Sequence, residues 1–235
     1  MPLDDHLSTQ SVEYQALPGR NAPDLQWLGR VSFSNALELQ TKLLSQLCAG
    51  TGRETVLLLE HEPVYTTGRN RSALAGASNN YLPYPLYEAT RGGNITYHGP
   101  GQLIAYPILD LSQRGRDLHR YLRALERLIV AALGKHGIVS GTRHGLTGVW
   151  VGEKKIASIG IGIRKWVSMH GFAINVCGDL SPFSYIDPCG LEGVQVTSIQ
   201  KEMEKEGRHN TPSVQGFAET IAMEFLEPLL PDSLA

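Results

Sequence analysis

The chain contains three cysteines, Cys48, Cys177 and Cys189, and only one has neighbours that present a thiol to a reaction. Cys189 stands between Pro188, which fixes the local backbone, and Gly190, which relieves crowding beside the sulfur, in a stretch from Leu180 to Val194 with no helical or strand period. A cysteine attacks as thiolate, and a nearby cation favours that charge. The basic residues that a sheet can bring near it are Lys155, which opens an apolar strand ahead of Ile156 and Ala157, and His98, which lies between two glycine-bearing turns. Acyl transfer through a thioester is the chemistry such a set supports. Cys48, near the end of a helix, and Cys177, after a strand, read as packing residues.

His98 belongs to the stretch around which the chain is organised, Thr90 to Leu111, reading TRGGNITYHGPGQLIAYPILDL. Glycines flanking a strand let backbone approach a ligand where a Cβ would block it. Within the stretch, Ile95–Tyr97 and Gln102–Leu109 read as strands joined by a forced turn at Gly99-Pro100-Gly101, a hairpin pattern. Upstream, Thr55–Glu60 is a continuous apolar run expected to be a central strand, and His61 to Arg69 leaves it at a position that commonly lines a site. His61 itself reads as a structural hydrogen-bonder.

The positioning elements follow from periodicity. Leu25–Val31 reads as a strand, followed by a helix capped at Ser32 or Ser34, with Leu39, Leu43 and Leu47 on one face and Gly50 at its end. Asp117 caps an amphipathic helix whose apolar face includes Tyr121, Leu125, Ile129 and Leu133, and whose charged residues, Glu126 among them, read as a solvated face. Val149–Val151, Lys155–Ile163 and Val167–Val176 form an antiparallel meander, with glycines at 160, 162 and 171 marking close backbone approach or bulges. Thr211-Pro212 opens a C-terminal helix, and residues 76–85 read as a surface loop. The fold class expected is α+β: a mixed, largely antiparallel sheet with helices packed on it, in a single domain over 25–235 that follows a polar extension over 1–24.

Composition narrows the function. A formal net charge of -2 without Lys/Arg blocks argues against phosphate-driven nucleic-acid binding. No apolar run reaches membrane-spanning length, and no signal or transit peptide pattern fits, so a cytoplasmic protein in a reducing compartment is expected. There is no GxxxxGK[ST] loop, no dinucleotide-binding spacing and no HExxH, so neither a nucleotide cofactor nor a metal is expected.

Arg91-Gly92-Gly93 followed by Thr96-Tyr97-His98-Gly99-Pro100-Gly101-Gln102 resembles the signature of the octanoyltransferases of lipoate biosynthesis, the lipoyl(octanoyl) transferase family. Lys155 to Gly160, His170 to Asn175, Pro188 to Leu191 and Val196-Thr197-Ser198 match its later motifs in order, so that the resemblance covers roughly 25–225. It implies the fold shared with biotin and lipoate protein ligases, and transfer of an octanoyl group from octanoyl-acyl carrier protein to a specific lysine of apo lipoyl domains, those of 2-oxoacid dehydrogenase and glycine cleavage proteins. Carried over by position, Cys189 is the acyl-thioester nucleophile and Lys155 the residue that lowers its pKa. Arg91, Gly92, Gly93, Asn94, Ile95, Thr96, Tyr97, His98, Ser158, Ile159, Gly160, Gly171, Phe172 and Ala173 line the acyl pocket. The glycines at 92, 93, 160 and 171 would then leave a narrow slot for a linear chain, with the oxyanion met by backbone N–H groups near Cys189 or Lys155. The competing readings are an ATP-dependent ligase of the same fold, a cysteine thioesterase, and a binding module without activity.

Overall fold

The computed structural model of the protein describes residues 22–69, 82–112, 114–187 and 194–226, and the main chain of 12–14. Its elements in chain order are β1 (Val12–Tyr14), β2 (Asp24–Val31), α1 (Phe33–Cys48), β3 (Thr55–His61), β4 (Val64–Thr67), β5 (Leu86–Glu88), β6 (Thr96–His98), β7 (Gln102–Ile108), α2 (Leu118–Lys135), β8 (Gly141–Arg143), β9 (Leu146–Val151), β10 (Lys154–Arg164), β11 (Val167–Asn175), α3 (Ile199–Lys205) and α4 (Val214–Leu226). Eight strands form one sheet in the order β1-β2-β3-β7-β11-β10-β9-β8, and β5-β4-β6 form a second, smaller one. In the large sheet only β2 and β3 run parallel, with α1 as their crossover. The mixed, largely antiparallel sheet expected from the sequence is the one observed, and the run read as a central strand is β3, paired on both edges. Val12–Tyr14, inside the stretch read as an extension, pairs with β2.

Helices cover both faces of the large sheet. On one, α2 and α4 bury Tyr121, Leu125, Ile129, Phe217 and Ile221 against Val56, Leu58, Leu103, Ala105 and Ile174. On the other, α1 packs Ala36 and Leu44 onto Leu57, Leu59, Ile104 and Tyr106. The small sheet shares that second side, since Phe33 of α1 packs with Val64 and Ala89. The caps are as expected: Ser32 Oγ accepts from Asn35 N–H at 3.3 Å and Asp117 Oδ1 from Arg120 N–H at 2.9 Å.

Three expectations need correction. The buried face of α1 is Phe33, Ala36, Gln40 and Leu44, while Leu39, Leu43 and Leu47 flank it half-buried. The hairpin across Gly99–Gly101 does not form, because β6 pairs with β4 in the small sheet and β7 with β3 and β11 in the large one. The turn is a corner between layers: Gly101 has φ +87, and a Cβ there would lie 2.4 Å from the Cys177 carbonyl oxygen. Its N–H donates to Glu60 Oε2 at 2.7 Å. Glu126 is buried rather than solvated, at 1% exposure. Helix α3, capped by Ser198, was unanticipated; seven residues give too little periodic signal.

Candidate active site

Successive strand residues face opposite ways, so the paired strands β10 and β11 show unlike sides. Toward α2 and α4 they point Ile161, Phe172 and Ile174. Toward α1 and the small sheet, the facing pairs are Ser158 with Ala173 and Gly160 with Gly171. Small residues at four adjoining positions leave a trough in the sheet surface. The 91–96 segment roofs it: Gly92 N–H donates to Ile161 O at 2.9 Å, and a Cβ on Gly160 would lie 3.0 Å from both Arg91 Cδ and Gly92 O.

The result is a cavity of about 220 Å³. Of the residues expected to line it, Arg91, Gly93, Asn94, Ile95, Thr96, His98, Ser158, Ile159, Gly160, Gly171, Phe172 and Ala173 border it, and Lys155 joins them. Gly92 and Tyr97 do not. Tyr97 points away, into an aromatic cluster with Tyr65, Tyr84 and Phe183 at centroid distances of 5.4–5.8 Å. Gly171 borders the cavity, but its lack of a side chain serves the neighbouring strand, since a Cβ would lie 2.1 Å from Ala105 O. Cys189 lies outside the described residues.

Lys155 reaches the cavity through a bulge. Lys155 pairs with Trp150 and Ala157 with Val149, so two steps along β10 oppose one along β9. Ile156 and Ala157 can therefore both enter the α2 side while Lys155 and Ser158 both face the cavity. The lysine is 6% exposed, with Nζ 5.6 Å from the Trp150 ring centre. Its backbone is tied by a single bridge to the stretch that follows the 188–193 segment: Lys155 N–H donates to Gln195 O and Thr197 N–H to Lys155 O, both at 2.9 Å.

A hydrogen-bonded chain runs from the roof to Thr197 in that stretch. Arg91 Nη2 donates to Thr66 O at 2.7 Å and Thr66 Oγ1 at 2.9 Å. Thr66 donates to His98 Nε2 at 3.3 Å, and His98 Nδ1 donates to Gln102 Oε1 at 2.7 Å. Gln102 Nε2 donates to Asn175 Oδ1, and Asn175 Nδ2 to Thr197 O, both at 2.9 Å. Every donor finds an acceptor in one direction only, which fixes the His98 tautomer with its proton on Nδ1. Burial, with His61 and Arg91 nearby, pulls the His98 pKa down to about 3. The ring is neutral with both nitrogens engaged, the behaviour of a wall element rather than of a proton carrier.

Two further imidazoles behave alike. His61 donates from Nδ1 to Val31 O at 2.8 Å and accepts the Tyr106 hydroxyl at 2.7 Å, and burial lowers its pKa to about 4. It does not border the cavity, in keeping with a structural role. His170 does border it, with its pKa lowered to about 4 by burial and then by Arg91. Its φ of +56 is unusual inside a strand, and its N–H is held by the buried Gln40 side chain at 2.8 Å. Among the described residues the Arg91 side chain bonds only neutral oxygens, and burial lowers its pKa to about 10.

The reading of the sequence gave no lining role to Phe33, Ile104, Tyr106, His170 or residues 145–147, all of which border the cavity. Ile104 and Tyr106 had a signal, a two-residue spacing in the strand entering from Gly101. His170 opened one of the matched motifs, but a left-handed residue inside a strand leaves no compositional trace of where its ring points. Among the described residues there is no cluster of three or more His, Cys, Asp or Glu side chains able to hold a metal, and no helix long and apolar enough to cross a membrane.

The family model described as lipoyl protein ligase A/B catalytic domain matches residues 32–226. An octanoyltransferase of Geobacter sp. (strain M21) is 48% identical over 206 residues, covering 86% of this chain and 95% of that protein. One of Solibacter usitatus is 50% identical over 171 residues, or 71% and 78% of the two chains. Among solved structures, a bipartite lipoate protein ligase of Thermoplasma acidophilum, described with its E2 lipoyl domain, superposes with a TM-score of 0.57 at 16% identity, over 91% of this chain and 99% of that one. A biotin protein ligase of Aquifex aeolicus in complex with biotin and ATP gives 0.53 at 15% identity, over 87% and 69%. The shared fold is that of the biotin and lipoate protein ligases.

Proposed function

This chain belongs to the lipoyl protein ligase A/B catalytic domain family, and from that premise we propose that it moves an octanoyl group from octanoyl-acyl carrier protein to a lysine of apo lipoyl domains through a thioester on Cys189. The observation that carries the reading is the Lys155 arrangement: a buried lysine turned by a bulge into a narrow cavity, its backbone bonded to Gln195 and Thr197, just past the Cys189 segment.

In the first half-reaction the Cys189 thiolate, favoured by the Lys155 charge, attacks the carrier thioester carbonyl; the sulfur–acyl bond to the carrier breaks, and the carrier thiolate leaves and takes a proton. In the second, the lipoyl-domain amine attacks the Cys189 thioester, the amide forms, and the Cys189 thiolate departs as the amine loses its proton. The acyl tail lies along the trough of Ser158, Gly160 and Ala173 beneath the 91–96 roof. The oxyanion requires N–H donors, and the Lys155 N–H is already spent on Gln195 O, so the donors come from other backbone groups of the site.

The test is intact-mass measurement after incubation with octanoyl-acyl carrier protein in the absence of ATP. An octanoyl adduct is expected that vanishes in Cys189→Ser and is discharged by an apo lipoyl domain. Turnover only with ATP and free octanoic acid, and no adduct, overturns the proposal in favour of a ligase.

A further inference from the structure

Glu126 is a charged side chain that the transfer chemistry leaves unused, and it sits at 1% exposure on the buried face of α2. A carboxylate is costly to bury unless its oxygens are bonded. Both are: Oε2 accepts from Arg123 Nη1 at 2.5 Å, and Oε1 accepts from the backbone N–H of Gly148 at 3.0 Å. Gly148 belongs to β9 and is the glycine against which the end of Lys155 rests. A Cβ there would lie 2.7 Å from Lys155 Cε, 3.2 Å from Nζ and 2.6 Å from Ala157 O. The same residue has φ +126, a conformation that side chains rarely tolerate. One glycine thus meets Glu126 through its N–H and Lys155 through the place where its side chain would be. Residues 145–147, which border the cavity, lead directly into it.

We propose that Glu126 is a positioning residue: by holding the Gly148 N–H it fixes the backbone surface against which the Lys155 ammonium is seated, and so sets the lysine's place in the site. The role needs a hydrogen-bond acceptor at this position, not a negative charge. Arg123, half-exposed at 48%, compensates the carboxylate and is free to turn to solvent when the charge is removed. Without the acceptor, the Gly148 N–H is left buried and unpaired, β9 shifts to relieve it, and Lys155 loses its seat. A misplacement of about 1 Å at a catalytic group costs up to about 100-fold in rate.

This inference rests on the transfer reading for its kinetic arm and on the fold alone for its structural arm. The variants are Glu126→Gln, which keeps an acceptor, and Glu126→Leu, which fills the same apolar surroundings without one. Amide hydrogen exchange at Gly148 is expected to quicken at least about tenfold in Glu126→Leu relative to its neighbours in β9 and to stay within about threefold of wild type in Glu126→Gln. In single-turnover acylation by octanoyl-acyl carrier protein, Glu126→Leu is expected to lose about 30-fold in rate with the carrier KM unchanged, and Glu126→Gln to recover to within about threefold. Unchanged Gly148 exchange in Glu126→Leu overturns the proposal whatever the activity. Equal rate losses in both variants overturn it in favour of a charge effect. If wild type forms no acyl adduct, the transfer reading fails, while Gly148 exchange still decides whether Glu126 is the anchor.

Discussion

Strands β10 and β11 carry a core on one side and a trough on the other, and the difference lies in alternate residues of the same two segments. Ile161 and Ile174 meet α2 and α4 with native packing, whereas Ser158, Gly160 and Ala173 face a roof they do not fill. The core side has one buried ionisable group in contact with the site, Glu126. The trough side holds His61, His98, His170 and Arg91, all buried. Large side chains pack on one side, and the buried imidazoles and Arg91 gather on the side where the strand side chains are small.

The largest effect that separates the two sides is on folding. Ile174→Ala removes a fully buried side chain from the core side, and a loss of about 3 kcal/mol is expected from urea unfolding. The acyl chain-length preference of the folded fraction stays as in wild type. A change in that preference would mean that the two sides are not independent.

Acid sharpens the contrast next. His98, His61 and His170 have pKa values held down at about 3, 4 and 4. The unfolded chain takes up protons near pH 6.5 while the folded one does not, so the stability from keeping these rings neutral is complete above about 6.5 and is lost as pH falls toward the folded values. For His98 alone the loss between pH 6.5 and 4 is about 3 kcal/mol, at about 1.4 kcal/mol per pH unit. Urea midpoints measured across that range should fall steeply in wild type and less steeply in His98→Gln. Equal slopes would mean that His98 is not held neutral in the folded protein.

Ala173→Leu probes the trough from the α1-side core cluster to which Ala173 belongs, so its transfer rates are read on the folded fraction. Bulk placed opposite Ser158 shortens the space under the roof, so octanoyl transfer should drop by about 10-fold or more while hexanoyl transfer falls less, the 1–3 kcal/mol scale of a methylene or two in an apolar pocket. Equal losses for the two chain lengths would place the acyl tail elsewhere.

These contrasts also explain what the sequence revealed. The two-sided character of β10 and β11 was legible, because glycines at 160, 162 and 171 inside strands are rare enough to signal close approach. Their separate reasons were not: Gly160 yields to the roof and Gly171 to the carbonyl of β7, a distinction that depends on which strand lies alongside. The family resemblance implied that Arg91 to His98 and Ser158 to Gly160 share a pocket, but only the bulge between Lys155 and Ala157 explains how an odd-numbered lysine shares a side with even-numbered Ser158. The Gly-Pro-Gly turn looked like a hairpin because local sequence specifies that the chain reverses, not which sheet receives it. Glu126 looked solvated because an amphipathic helix has polar residues at the margin of its apolar face, and burial there depends on what β9 brings against it.

The smallest expected effect bears on whether the trough is chemically as well as sterically selective. Thr96 pairs with Thr66 across β4 and β6, yet the Thr66 hydroxyl is doubly engaged while that of Thr96 is buried, borders the cavity and bonds to no atom of the described residues. A buried hydroxyl without a partner costs free energy that an apolar isostere does not. Thr96→Val should therefore raise stability by about 1 kcal/mol in urea unfolding and leave octanoyl transfer within about twofold, since a saturated chain offers the hydroxyl nothing to bond. If transfer instead falls about tenfold while stability rises, the hydroxyl touches a polar atom of the bound substrate, and the thioester end rather than the hydrocarbon tail lies beneath β6.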